Sequence, residues 1–123
     1  MILNLPYPPT VNTYTAVFRG RKILSAKGRE YQADVMASIL QNGKPNTMRG
    51  RIRVQIQASP PDRRQRDIDN IVKPILDCLQ KSAVFENDCQ IDELHVKRGP
   101  IVKDGEALVI VEEIELFPEP EPT

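Results

Sequence analysis

Cysteine and histidine are nearly absent from this 123-residue chain, which holds two cysteines, Cys78 and Cys89, and one histidine, His95. Two thiols so placed are too few for a zinc knuckle or a disulfide framework, and both are expected as ordinary reduced thiols. His95 sits in a strand pattern and reads as a structural residue rather than a catalytic one. No run approaches the roughly 18 consecutive apolar residues of a membrane span, and Met1-Ile2-Leu3-Asn4 lacks the charged-then-apolar layout of a signal peptide. The chain is therefore expected in the cytoplasm, with no membrane partner. Internal repeats are absent as well, and a chain of this length is expected to form one domain with a modest core and no crosslinks.

Net charge is missing too, with 17 basic residues against 17 acidic ones. The distribution matters more than the total. Every Lys and Arg lies at or before Lys103, whereas Glu112, Glu113, Glu115, Glu119 and Glu121 crowd the end, so an acidic carboxy-terminal stretch masks a basic body. The last residues, 118–123, alternate Pro and Glu, cannot bury a core, and are expected to be extended or disordered. That leaves 1–117 as the folded domain.

Periodicity outlines the fold. Ile2 to Leu5 reads as a short strand stopped by Pro6, and Pro8 and Pro9 set an extended loop that delivers Val11-Asn12-Thr13-Tyr14. Thr13–Phe18 and Lys22–Leu24 form a hairpin around Arg19-Gly20-Arg21. Ser25 offers an N-cap to a helix over 26–41, in which Tyr31, Val35, Ile39 and Leu40 recur at helical spacing. From Arg51 to Ala58 the alternation is strict: Ile52, Val54, Ile56 and Ala58 on one face, Arg51, Arg53, Gln55 and Gln57 on the other. A second helix, capped by Asp69 or Asn70 with Pro74 in its first turn, runs to about Lys81. It buries Ile71, Val72, Ile75, Leu76, Cys78 and Leu79 and points Lys73, Asp77, Gln80 and Lys81 outward. Strands over 91–97 and 107–117 complete a small two-layer α/β domain, a mixed sheet packed with two main helices.

The chemistry concentrates in Asp67-Ile68-Asp69-Asn70, with Lys73 one turn later and Asp88 just past the second helix. Carboxylates without neighbouring His or Cys are hard oxygen ligands suited to Mg²⁺ or Mn²⁺. Arg63, Arg64 and Arg66 lead directly into them, and a basic flank running into an acidic cluster suits phosphodiester hydrolysis. There, carboxylate-held ions activate water and neutralise charge on the phosphate, while a lysine stabilises the transition state. Spacing alone is also met by plain structure: Asp-x-Asp-Asn before a helix serves as cap and dipole complement, Lys73 as a solvated lysine, and Asp88 as a turn residue. Asp92 and Glu93 read as surface residues.

Several separated motifs go further. The segment from Pro61 through Arg66-Asp67-Ile68-Asp69-Asn70 and Lys73-Pro74 to Leu79, then Val84-Phe85-Glu86-Asn87-Asp88-Cys89-Gln90-Ile91, resembles the signature of the RusA family of Holliday junction resolvases. Leu5-Pro6-Tyr7-Pro8-Pro9-Thr10-Val11-Asn12, Tyr14 and Ser25-Ala26-Lys27-Gly28 match the family's opening pattern. The resemblance implies a homodimeric, Mg²⁺-dependent endonuclease of bacterial or phage origin. Such an enzyme binds four-way DNA junctions and makes paired nicks with 5′-phosphate ends, for recombination and repair. By position it puts the metal-binding aspartates on Asp67, Asp69 and Asp88 and the catalytic lysine on Lys73. The amino-terminal segment (Asn12, Arg19, Arg21, Lys22) and the Arg63, Arg64, Arg66 approach are the segments to place against DNA. In one departure, Asn87-Asp88 stands where relatives often carry two adjacent acids, which lowers the charge available to a second ion. The competing readings are a junction-binding dimer without nuclease activity and a small metal-dependent nucleotide phosphohydrolase.

Overall fold

The computed structural model describes residues 1–115. In chain order it forms β1 (Ile2–Leu5), α1 (Val11–Tyr14), β2 (Thr15–Phe18), β3 (Arg21–Leu24), α2 (Ala26–Leu40), β4 (Ile52–Ser59), α3 (Val72–Lys81), β5 (Ile91–Arg98) and β6 (Glu106–Glu113). Short 3-10 turns at Ile68–Ile71 and Asp88–Gln90 precede α3 and β5. The main sheet is four-stranded in the order β1-β6-β4-β5, antiparallel except for the parallel β4–β5 pair, and β2 with β3 makes a separate two-stranded sheet.

The strict alternation of β4 becomes its burial pattern. Ile52, Val54, Ile56 and Ala58 face a core shared with Leu3, Leu5, Val109 and Val111 of the other strands. Tyr31, Val35 and Ile39 of α2 and Ile75, Leu76, Cys78 and Leu79 of α3 cover that face, giving the expected two layers. Burial pushes the Cys78 thiol up to about 11, in keeping with an ordinary protonated thiol. The arginines of the opposite face are matched rather than merely solvated. Arg51 pairs with Asp92, and Arg53 bridges Glu93 at 3.0 Å and Glu112 at 2.9 Å. Cross-strand register therefore turns Asp92 and Glu93 into ion-pair partners. His95 lies exposed beside them, 3.6 Å from Glu93.

Four local expectations need correction. Val11–Tyr14 is a one-turn helix rather than an extended loop leading into a strand from Thr13, so β2 starts only at Thr15, because the Tyr14 ring is buried and its hydroxyl donates to Asp77 on α3. Leu40 ends α2 exposed, since the helix stops one residue past Ile39. Neither Asp69 nor Asn70 caps α3. The turn Ile68–Ile71 comes first, with Asp67 at its cap position and no side-chain cap bond. The last strand ends at Glu113; its expected extension through Leu116 and Phe117, like the tail 118–123, lies outside the described residues.

After α3 the chain turns by a Schellman motif: the Val84 N–H donates to the Leu79 carbonyl at 3.0 Å and the Ala83 N–H to that of Gln80 at 3.0 Å. Ala83 sits at φ 62° in the left-handed position usually taken by glycine.

Candidate active site

β4 and β5 run parallel and finish together, with Ala58 opposite Arg98. Past the carboxyl ends of adjacent parallel strands the backbone leaves a crevice, the common place for a ligand in such sheets. Here the loop leaving β4 crosses that crevice, and the result is an open cleft of about 910 Å³ whose lining includes Thr10, Asp62, Arg63, Arg64, Arg66, Asp67, Asn70 and Arg98.

The arginines divide into two kinds. Arg66 turns inward: it donates to Asp62 at 2.7 Å, lies 5.7 Å from the centre of the Tyr7 ring, and its side chain is only 18 % exposed. Its hydrogen bond, seconded by the Arg64 backbone N–H, holds the Asp62 carboxyl down to about 2. Arg63 and Arg64 stay exposed, Arg64 some 3.7 Å from Asp62. Arg98 reaches across from β5 and donates to the Arg66 carbonyl at 2.6 Å, pinning the backbone one residue before Asp67.

Asp67 and Asp69 are both exposed on the 3-10 turn. Lys73, in the first turn of α3, places its ammonium 3.4 Å from Asp88. Asp88 belongs to a tightly specified turn. The buried Gln90 side chain accepts from the N–H groups of Glu86 and Asn87, each at 2.9 Å, and donates to the carbonyls of Met48 at 3.0 Å and Gly50 at 2.9 Å. Asn87 completes a reciprocal cap by accepting from the Cys89 N–H at 2.9 Å. The structure thus joins Lys73 to Asp88, and Asp67 to the arginine cleft. Among the described residues it gathers no three His, Cys, Asp or Glu side chains into one metal-holding group, so Asp67, Asp69 and Asp88 do not converge on a single point.

The family model described as Endodeoxyribonuclease RusA matches residues 6–112. The chain belongs to the RusA family. It is 38% identical over 111 residues to the crossover junction endodeoxyribonuclease rusA of Enterobacteria phage HK97, covering 90% of this chain and 92% of that protein. The RusA protein of Escherichia coli (strain K12), likewise named a crossover junction endodeoxyribonuclease, is 33% identical over 113 residues (91% and 93%). That of Enterobacteria phage 82 is 31% identical over 112 (91% and 93%).

Within this RusA chain, the remaining expected residues lie on the amino-terminal side. Asn12 is exposed on α1, which packs against α3 and the Asp69-bearing turn. Arg19, Arg21 and Lys22 are exposed on the β2–β3 hairpin, apart from the cleft. Sequence reasoning missed three residues that build the site: Gln90, Arg98 and Tyr14. Gln90 and Tyr14 stood inside recognisable motifs, but nothing local distinguishes a buried bracket from a surface amide. Tyr14 also explains the Ser25–Gly28 motif. Its carbonyl accepts from the Ser25 N–H at 3.0 Å, and a Cβ on Gly28 would come within 2.2 Å of that oxygen.

Proposed function

We propose that the chain is a metal-dependent endonuclease that cuts four-way DNA junctions by paired nicks, as a homodimer whose two-fold axis relates the two strands cut. The observation that carries this reading is Asp67 on a turn lining an arginine-rich cleft at the carboxyl ends of β4 and β5. Arg63 supplies an open cation for phosphates, the exposed Arg64 a second one in loose contact with Asp62, and Arg66 and Arg98 shape the backbone beneath them.

The donors suit a hard cation in kind, since Asp67, Asp69 and Asp88 offer only carboxylate oxygen. We assign them as the ligands, gathered from their two separate turns only when the ion binds, and Mg²⁺ as the ion, with Mn²⁺ a workable substitute. Bound, such an ion activates water and neutralises charge on the scissile phosphate. Lys73 would turn from Asp88 to a phosphate oxygen and stabilise charge that develops in the transition state. Asn87 spends its carboxamide oxygen on the Cys89 N–H, which favours Asp88 as the ligand of that turn.

The test is incubation with labelled four-way junction, linear duplex and nucleotide, in Mg²⁺ or in EDTA. Paired nicks in the junction alone, abolished by EDTA, are expected. Junction binding without nicks would favour an architectural dimer, and nucleotide hydrolysis a small phosphohydrolase.

A further inference from the structure

The β2–β3 hairpin carries a feature that the cleft does not explain. β2 and β3 pair only with each other, and the ribbon exposes Phe18 (58 %) and Ile23 (43 %) on one face and Val17 (76 %) on the other. Isolated two-stranded ribbons are marginal in water, so one that exposes Phe18 at its tip asks for a partner.

The tip is built to hold its shape. Arg19 at φ 52° and Gly20 at φ 74° form a two-residue loop with both residues left-handed, the turn whose twist matches a hairpin. The root is clasped: the Ser25 hydroxyl, just past β3, donates to the Thr13 carbonyl at 2.5 Å and its N–H to the Tyr14 carbonyl at 3.0 Å, just before β2. Tyr14 is itself bonded to Asp77 on α3, and α1 packs against the turn bearing Asp69. The hairpin therefore projects from beside the acidic turn.

Its charge selects the partner. Thr15 to Leu24 contains Arg19, Arg21 and Lys22 and no acid. Phe18 lies directly opposite Arg21, and the Arg19 guanidinium is 5.2 Å from the centre of the Phe18 ring. The β4 arginines have carboxylate partners, whereas among the described residues these three cations pair with none. Two such tips facing each other would oppose like charges; a polyanion would not. Duplex DNA hides its base faces, and they become available where pairing is interrupted. Apolar wedges flanked by cations insert at base steps, and aromatic rings stack on single bases.

We propose that Phe18 stacks on a base exposed at the branch point of the DNA while Arg19, Arg21 and Lys22 hold the adjoining phosphates. The proposal rests on the junction-cutting reading above and assigns part of its structure selectivity to this tip. The probe is a four-way junction with 2-aminopurine at the branch point, compared with a linear duplex of the same sequence.

Phe18→Ala is expected to weaken junction binding about tenfold, by loss of one base–aromatic stack, to leave duplex binding and its salt slope unchanged, and to abolish the 2-aminopurine fluorescence change. Phe18→Tyr keeps a stacking face and is expected to retain all three. Arg21→Ala should weaken both DNAs and lower the salt slope by about one contact. Phe18→Ala with unaltered junction preference, in a protein that still cuts junctions, overturns this proposal alone. A wild-type protein with no junction preference overturns the activity reading and this one with it. A Phe18→Ala variant that changes subunit mass in sedimentation equilibrium also overturns it, by assigning the tip to contact between copies.

Discussion

The turn at Asp67–Asn70 and the turn at Asn87–Gln90 both carry candidate catalytic carboxylates, yet they are built on opposite plans. In the second, Gln90 and Asn87 use their side-chain groups on backbone, and Gln90 is buried. In the first, the cap position makes no side-chain bond and both carboxylates face solvent. The backbone there is held from outside instead, by Arg98 on the Arg66 carbonyl and by the Arg66–Asp62 pair. One turn satisfies its own polar groups and presents a single carboxylate, Asp88. The other leaves its carboxylates unspent, which is what a site needing ligand charge requires.

This contrast breaks most sharply if the exposed turn proves structural. Asp67→Asn and Asp69→Asn should each cut the cleavage rate by about 1,000-fold, near 4 kcal/mol of barrier, while junction affinity and melting temperature stay put. Loss of stability in step with activity would make these aspartates parts of the fold. The converse variant is Gln90→Ala, expected to lower unfolding free energy by about 3 kcal/mol in urea, because buried N–H and C=O groups lose their partner. A change below about 1 kcal/mol would mean that the second turn holds itself.

Lys73 joins the two regions through Asp88. Lys73→Ala should reduce kcat about 100-fold and shift the junction Kd by no more than about twofold, since an interaction made with developing charge raises rate without tightening ground-state binding. Equal losses in both would make it a plain phosphate contact. The smallest effect sharpens the account of the lead-in to the second turn. Ala83→Gly should raise stability by about 1 kcal/mol by relieving the left-handed alanine, measured by chemical denaturation with cleavage unchanged. No gain would indicate that Ala83 carries little strain.

Much of this was legible in one dimension because it is local. The strict alternation of 51–58 is visible without knowing any partner, and it became β4 with the expected buried face. The helical spacing of Tyr31, Val35 and Ile39 became α2, and Ser25 capped it as expected, accepting from the Gly28 N–H at 3.0 Å. The apolar face of α3 was read correctly except at its start, where the 3-10 turn intervenes. By contrast, α1 has only four residues and no side-chain cap, so local signals are too weak to call for a helix; the Tyr14 hydroxyl bond to Asp77, 63 residues away, decides it.

By itself, then, the amino-acid order determined the family, through motifs in order, and named the candidate chemistry: oxygen-only carboxylates, a lysine one turn on and arginines before them. Those depend on residue type and spacing, which are properties of the chain alone. Tertiary structure decided which charges are free. Strand packing matched Arg51 and Arg53 with Asp92, Glu93 and Glu112; the loop after β4 folded Arg66 onto Asp62 and set Arg64 beside it while Arg63 and the hairpin cations stayed open; and the packing of α3 brought Lys73 to Asp88 rather than to the other aspartates. Pairing of charges falls off within a few ångströms, and only the folded chain sets distances between residues far apart in sequence.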